Sequence, residues 1–221
     1  MDNPQKMLLS YSKTIDILNK YQLNHVSGIV TDDANELRWN FLKMNKPVVL
    51  KATGKTIFHK TEKGQVILNI NSPEELDNAV NKIRKTSPAN ADFEFLLQPQ
   101  ISGGEIIVGG KNDSNFGPII LFGMGGIYAQ MINDVATRPA PISKKSAGQL
   151  ILSTKANAFC EGFRSIKVDR KILENFVVRA SKLIANEKKV VEFDFNPVIV
   201  GNFGATIVDA KLYTYSEDMI L

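Results

Sequence analysis

The chain has 221 residues, of which 43% are hydrophobic and 23% charged, with a formal charge of +4. That composition excludes wholesale disorder, collagen and a disulfide-stapled miniprotein, and a single cysteine, Cys160, permits no internal disulfide. No apolar run nears the roughly 20 residues of a membrane span, the first six residues are too polar for a secretory signal, and the basic residues are scattered rather than gathered into the stripe of a nucleic-acid binder; a cytoplasmic protein without membrane or nucleic-acid partners is expected.

In chain order, Leu8, Tyr11, Ile15 and Leu18 recur at helical spacing and predict a helix over about residues 5–20. Asp33 with Glu36 has the form of a capping box for a second helix, with Leu37, Phe41 and Met44 on its inner face. Pro47 to Ala52 reads as a buried strand carrying Lys51 near its end. Residues 54–64 are polar and form a loop with a glycine at each end, and Gln65 to Ile70 alternates as a strand. Ser72-Pro73-Glu74-Glu75 is a helix start, since Ser caps, Pro suits the first turn and Glu75 closes the box. Phe93 to Leu97 is the next strand, after which Gln98 to Gly104 breaks the pattern as a hinge. Strands over Glu105–Gly109 and Pro118–Phe122 lead into a glycine run, Phe122-Gly123-Met124-Gly125-Gly126. Helices over Ser143–Leu152 and Asp169–Asn186 precede closing strands at Val190–Phe195, Val198–Val200 and Ala205–Asp209, with Pro197 as an interruption. The pattern is α+β, with two lobes joined near residue 100.

Four groups could carry chemistry, and each has a plain structural reading beside it. Lys51 either faces an anion such as phosphate from a buried strand or reaches the surface from a strand end. Gly123, Gly125 and Gly126 form either an anion-binding nest or a tight turn; the run is neither a GxxxxGK[ST] loop nor a GxGxxG fingerprint. Asp194 and Asn196 share one strand face, and a later strand brings in Asp209; these are hard oxygen ligands suited to nucleotide-bound Mg²⁺, or turn residues around Asn-Pro. His59 lies in the glycine-bracketed loop and is either a nucleophile that the loop carries or a solvated histidine. His25 and Cys160 read as structural.

These pieces occur together in a recognisable order. The chain resembles the β subunit of ADP-forming acyl-CoA synthetases (acetate–CoA ligase, ADP-forming), a branch of the ATP-grasp superfamily, over nearly its whole length. The matching strings are Pro47 to Ala52, His59-Lys60-Thr61-Glu62 with Gly64, Gly103 to Gly109, Phe116-Gly117-Pro118, Phe122 to Ile127, Asp134-Val135 through Pro141, Asp194-Phe195-Asn196-Pro197 and Val208 to Lys211.

The resemblance implies an ATP-grasp fold binding ATP or ADP between a first lobe at about 22–97 and a second at about 105–221, hinged at about 98–104. It implies Lys51 and Arg138 on the phosphates, Gln98, Gln100 and Ile101 along the adenine, and Glu105 on the ribose. Gly123, Gly125 and Gly126 would cradle phosphate, and Asn196 and Asp209 would hold Mg²⁺. His59 would be a phosphate carrier with Asp194 orienting its ring. An α subunit carrying the CoA and acyl sites, in an α2β2 assembly, is the implied partner. The chain has Gln98, Gly54, Gln65 and Gln130 where the family usually has Glu, Ser, Gly and Glu. These departures leave a second class open, an ATP-binding regulatory or scaffold subunit without catalysis.

Overall fold

A short strand, β1 (Lys6–Leu8), opens the part of the chain that the computed structural model describes, which comprises residues 6–54, 64–87, 93–126 and 134–216. Helix α1 (Tyr11–Lys20) begins after it, later than the helical spacing predicts, because Ser10 caps the helix by accepting the Lys13 amide. Residues 6–8 are held instead by a partner that sequence periodicity cannot reveal, the distant segment Tyr213–Tyr215.

Residues Val26–Ile101 form one unit. Its strands β2 (Ile29–Thr31), β3 (Val48–Thr53), β4 (Val66–Ile70) and β5 (Glu94–Pro99) make an antiparallel sheet in the order β2-β5-β3-β4. Helices α2 (Ala34–Lys43) and α3 (Pro73–Thr86) cover one face, where Leu37, Phe41, Leu76 and Ile83 bury themselves on Leu50 and Leu97. At about 1.5–3 kcal/mol for each such side chain, this face holds the unit together. The Ser72–Glu75 capping box forms with both reciprocal bonds. The Asp33–Glu36 pair is only half a box: Asp33 accepts the Asn35 and Glu36 amides, while the Glu36 carboxylate accepts the Thr31 hydroxyl at 2.6 Å. Strand β5 continues through Gln98 and Pro99, which pair with Val49 and Val48. The proline is tolerated there because β2 pairs only as far as Leu97, so no ladder bond needs its missing N–H.

Residues Met1–His25 and Ser102–Leu221 form the second, larger unit. The chain crosses between units after His25 and after Ile101, so α1 belongs with the larger unit and residues 98–101 with the smaller. The larger unit has β6 (Gly104–Asp113), β7 (Gly117–Met124), β8 (Val135–Pro139), β9 (Glu192–Gly201), β10 (Gly204–Ile207) and β11 (Ala210–Tyr215). They join β1 in a sheet ordered β1-β11-β9-β6-β7-β8, with β10 paired on β9. Helices α4 (Lys144–Leu152), α5 (Ala158–Glu161) and α6 (Arg170–Asn186) lie between β8 and β9 in the chain. Leu150, Leu173 and Val177 pack with Leu18 against a sheet face built from residues such as Ile120 and Phe195.

Pro197 does not end the strand. β9 runs unbroken from Glu192 to Gly201, and the proline is absorbed by a bulge: Val198 pairs with Ile106 and Phe195 with Val108, so Asn196 and Pro197 together oppose Ile107. A central strand accepts proline only at such a place, and the bulge re-aims the side chains beside it.

Candidate functional site

In the smaller unit the sheet alternation separates two faces. Val48, Leu50 and Ala52 of β3 enter the helix-covered core, whereas Val49 and Lys51 turn the other way, level with Gln98 and Leu96 of β5. Lys51 is 5% exposed and Gln98 4% exposed, on a face they share with Val49 and Leu96 and with Val66 and Val30 of the flanking strands. A lysine so buried is sustained only by compensating charge or hydrogen bonds.

The orientation of Gln98 is fixed. Its Nε2 donates to the Val26 carbonyl at 2.8 Å, which leaves Oε1 as an acceptor, buried and without a hydrogen-bond partner among the described residues. Gly28 presses on this side chain: a Cβ there would stand 2.5 Å from Gln98 Cγ. The need for glycine at position 28 is invisible in the sequence, because it depends on β2 lying beside β5.

Gln100 lies next in the chain, but its side chain is committed elsewhere. Its Oε1 accepts the Asn69 amide at 2.7 Å and its Nε2 donates to Asn69 Oδ1 at 2.9 Å, holding Asn69 in a left-handed conformation at φ 60°. It therefore clamps β4 rather than offering itself to a base. Ile101 is half-buried at the end of the unit.

In the larger unit, Glu105, Gly125, Gly126 and Asn196 come together. The Gly125 amide donates to the Glu105 carbonyl at 2.9 Å, and the Gly126 amide donates to Asn196 Oδ1 at 3.3 Å. Gly126 has φ +70°, and a Cβ there would fall 1.8 Å from Glu105 Oε2. Gly123 and Gly125 are equally constrained, with a Cβ landing 2.1 Å from the Asp134 carbonyl oxygen and 2.4 Å from the Ile106 carbonyl carbon. Gly125 and Gly126 are thus required by close packing onto β6 and Gly123 by Asp134 and Val135, and the amides of Met124, Gly125 and Gly126 are hydrogen-bonded inside the unit. Gly123, Gly125 and Gly126, expected as a phosphate cradle, lie beside the Glu105 carboxylate and the Asn196 amide. Burial pushes the Glu105 carboxyl above its ordinary value.

Asn196 and Asp209 are neighbours across β9 and the start of β11, joined by the Asn196 amide donating to the Asp209 carbonyl at 3.2 Å. Asp194 lies two residues before Asn196 and pairs in register with Lys211. Burial raises the Asp194 carboxyl, Lys211 draws it down, and Asp209 and Glu192 push it up again. Asp194 thus feels two neighbouring carboxylates, of which Glu192 is ion-paired with Lys6, and one opposing charge, Lys211. Asn196 Oδ1 keeps a second lone pair and Asp209 a carboxylate, hard oxygen donors of the kind Mg²⁺ takes when phosphate and water supply the rest. Among the described residues no group of three or more His, Cys, Asp or Glu side chains forms a cage, so such an ion would depend on its nucleotide.

Arg138 does not join this face. It pairs with Ile120, whose side chain is in the core, and it stands at the edge of the sheet with Nη1 donating to the Thr137 carbonyl at 2.8 Å. Its neighbour Thr137 lies in register with Leu121 on the opposite face. Periodicity alone could not decide this, since an edge strand with five residues alternates without a strong apolar side. His59 and Gln130 lie outside the described residues. Gln65, at the end of the His59 loop, is buried and donates from Nε2 to the Ser87 hydroxyl at 3.2 Å, fastening the start of β4 to the end of α3.

With these groups located, known proteins supply the context. The family model of the ATP-grasp domain matches residues 2–213. The β subunit of acetate–CoA ligase (ADP-forming) II of Pyrococcus furiosus is 36% identical over 175 residues, 75% of this chain and 74% of that protein. Acetate–CoA ligase (ADP-forming) II of Archaeoglobus fulgidus is 29% identical over 93% of this chain, which spans 30% of that relative's length. Two structures of an acetyl-coenzyme A synthetase of Ca. Korarchaeum cryptofilum are similar at 28% identity and 94% of this chain. One, with coenzyme A and Ca-AMPCP, has a TM-score of 0.86 and 93% of its chain covered. The other, with coenzyme A and Mg-AMPPCP and its phosphohistidine segment pointing towards the nucleotide binding site, has a TM-score of 0.77 and 92% covered. Among the described residues no helix is long and apolar enough to cross a membrane.

Proposed function

Because the chain belongs to the ATP-grasp domain family and is homologous to the β subunit of ADP-forming acetate–CoA ligases, we propose that it is the nucleotide-binding subunit of an ADP-forming acyl-CoA synthetase. The observation that carries this reading is the buried sheet face of Val49, Lys51, Leu96 and Gln98, with the Gln98 carbonyl left as an unpaired acceptor. An adenine ring has an apolar face for Val49 and Leu96 and a 6-amino group that donates to Gln98 Oε1. Guanine presents an oxygen at that position and would oppose the acceptor. Lys51, on the same face, supplies positive charge for the phosphates, and Glu105 accepts from the ribose hydroxyls. Arg138 reaches the phosphates only by wrapping its long side chain around the sheet edge.

Asn196 and Asp209 would hold Mg²⁺, which neutralises phosphate charge when bound. His59 is the phosphate carrier. The lone pair of its unprotonated ring nitrogen attacks the γ-phosphorus of ATP, an N–P bond forms, and the bond to the bridging oxygen breaks with its electron pair remaining on ADP. The ring's other N–H is held by Asp194, whose carboxylate offsets the positive charge on the imidazole. Phosphoryl transfer of this kind needs positioning and charge neutralisation more than covalent help. The phosphate then passes to a histidine of an α subunit that holds CoA and the acyl group, in an α2β2 assembly in the cytoplasm, where it activates the acid as an acyl-phosphate; the reverse sequence makes ATP.

Two measurements test the reading. The chain incubated with Mg²⁺ and γ-³²P-labelled ATP should acquire acid-labile phosphate that His59→Ala abolishes, and ADP should bind more tightly than GDP. A chain that binds ATP but takes no label, alone or with acyl-phosphate and α, would instead be the regulatory subunit that its departures from the family pattern leave open.

A further inference from the structure

Gly28 stands where the buried face of the smaller unit takes its shape. Ile29 pairs with Leu97 and Val30 with Leu96, so one residue earlier Gly28 falls level with Gln98, on the same face of the sheet. Its φ is not in the left-handed region, so backbone conformation does not demand a glycine there. Its surroundings do. A Cβ would stand 2.5 Å from Gln98 Cγ, 2.5 Å from Leu96 Cδ1 and 2.9 Å from the Leu97 carbonyl oxygen. Leu96 Cδ1 is the end of a side chain and can turn away. The Leu97 carbonyl cannot retreat, because β3 pairs with β5 along its whole length. The stem of Gln98 is what a side chain at position 28 would displace.

That stem matters because the amide beyond it is also held. Gln98 Nε2 donates to the Val26 carbonyl at 2.8 Å, and Oε1 has no partner among the described residues. A glutamine amide presents an acceptor on one side and two donors on the other, and rotation about one bond exchanges them. Donation to the Val26 carbonyl selects one of the two orientations. The empty space at Gly28 lets the stem lie close enough to the start of β2 to make that bond. Val26 and Gly28 thus grip the head and the stem of one side chain, from a single short segment. A carboxylate at position 98 would have no proton for the Val26 carbonyl, so this way of fixing the acceptor requires the amide.

We infer that Gly28 is a specificity-determining position: by admitting the stem of Gln98 it fixes Oε1 as an acceptor, and so favours a 6-aminopurine nucleotide over a 6-oxopurine one. Gly28 is a positioning residue, since it acts through Gln98 and offers no group of its own to a base. The inference rests on the base recognition proposed above and adds to it the residue that sets the direction of the acceptor.

The test measures dissociation constants of the full chain for ADP and GDP, beside the melting temperature. Gly28→Ala should lower the preference for ADP over GDP by about tenfold, as loss of one ordinary hydrogen bond predicts. Adding Gly28→Ala to Gln98→Met should leave the preference where Gln98→Met puts it, because two residues that act through one bond are not additive. A parental preference in Gly28→Ala would overturn the inference. So would a lower melting temperature with both nucleotides weakened by the same factor, which would make Gly28 a packing residue only, and so would a further loss of preference in the double variant. If Gly28→Ala does not fold, the parent decides: the side-chain amide protons of Gln98, identified in NMR spectra by their loss in Gln98→Met, should exchange slowly with solvent, and rapid exchange would overturn the lock. A parent that binds ADP and GDP equally would overturn the base recognition itself, whereas a parent that prefers ADP beside an equally selective Gly28→Ala would overturn the role of Gly28 alone.

Discussion

The two sheet faces that carry candidate ligand groups differ in kind. The face of the smaller unit is dry and sparsely charged, with one buried lysine and one buried amide among aliphatic side chains. The face of the larger unit carries carboxylates at Glu192, Asp194 and Asp209, with Lys6 paired to Glu192 and Lys211 opposing Asp194. The first is suited to recognising a flat base and attracting an anion, since a cation in a low-dielectric setting acts strongly. The second is suited to a metal ion and to orienting a group that becomes positive. On the proposed reading the contrast assigns recognition and phosphoryl handling to different sheets, so mutations should separate them.

The largest effect should come from removing the Lys51 charge of the smaller unit's face. Lys51→Met should weaken ATP binding by about 10–150-fold, because a charge-assisted bond to phosphate is worth ~1.5–3 kcal/mol; equilibrium dialysis with labelled ATP measures it, and parental affinity would mean that Lys51 serves structure alone. On the crowded face, Asp209→Ala should raise the Mg²⁺ concentration for half-maximal labelling by about 10–100-fold, the range seen even for groups behind metal ligands, while ADP binding without metal changes little. A metal titration at fixed ATP distinguishes these outcomes.

Gln98→Met tests base selection. It removes the acceptor for a 6-amino group, so the preference for ADP over GDP should fall by about tenfold, the value of one ordinary hydrogen bond of ~1–1.5 kcal/mol. Competition of GDP against labelled ADP reads it, and an unchanged ratio would place base selection elsewhere.

A smaller effect concerns pH. Burial raises the Glu105 carboxyl above its ordinary 4.5, so the folded protein holds that proton more tightly than the unfolded chain does. Stability from this group is therefore greatest below 4.5 and declines as pH rises through the window up to the raised native value. Glu105→Gln should accordingly melt higher than the parent at neutral pH, with the advantage vanishing as the pH falls through that window. A constant difference at every pH would mean that the charge is not the cause.

How much of this was legible in the sequence depended on the range of the interactions involved. The Ser72–Glu75 cap is local chemistry and was readable from four residues. The pairing of Lys6–Leu8 with Tyr213–Tyr215 spans the chain, and the helical spacing of Leu8 with Tyr11 masked it. Asn196-Pro197 was readable as a disturbance but not as a bulge, which exists only relative to β6. Lys51 and Asp194 were identifiable as strand residues of unusual polarity, whereas Gln98, read as the start of a hinge, belongs to β5. The direction of the glycine run and the face taken by Arg138 were not, because both follow from register, and register is set by neighbouring strands rather than by the segment itself.

The pairing of β1 with β11 has a consequence for the order in which the protein is made. The smaller unit is contiguous, Val26–Ile101, so all its strands are synthesised before β6 begins. The larger unit encloses it in sequence and cannot close its sheet until residues 213–215 emerge to receive residues 6–8. Contacts between segments so far apart form slowly, and domains generally fold as units during synthesis. The nascent chain thus completes the strands of the smaller unit well before those of the larger, and residues 6–8 wait for β11.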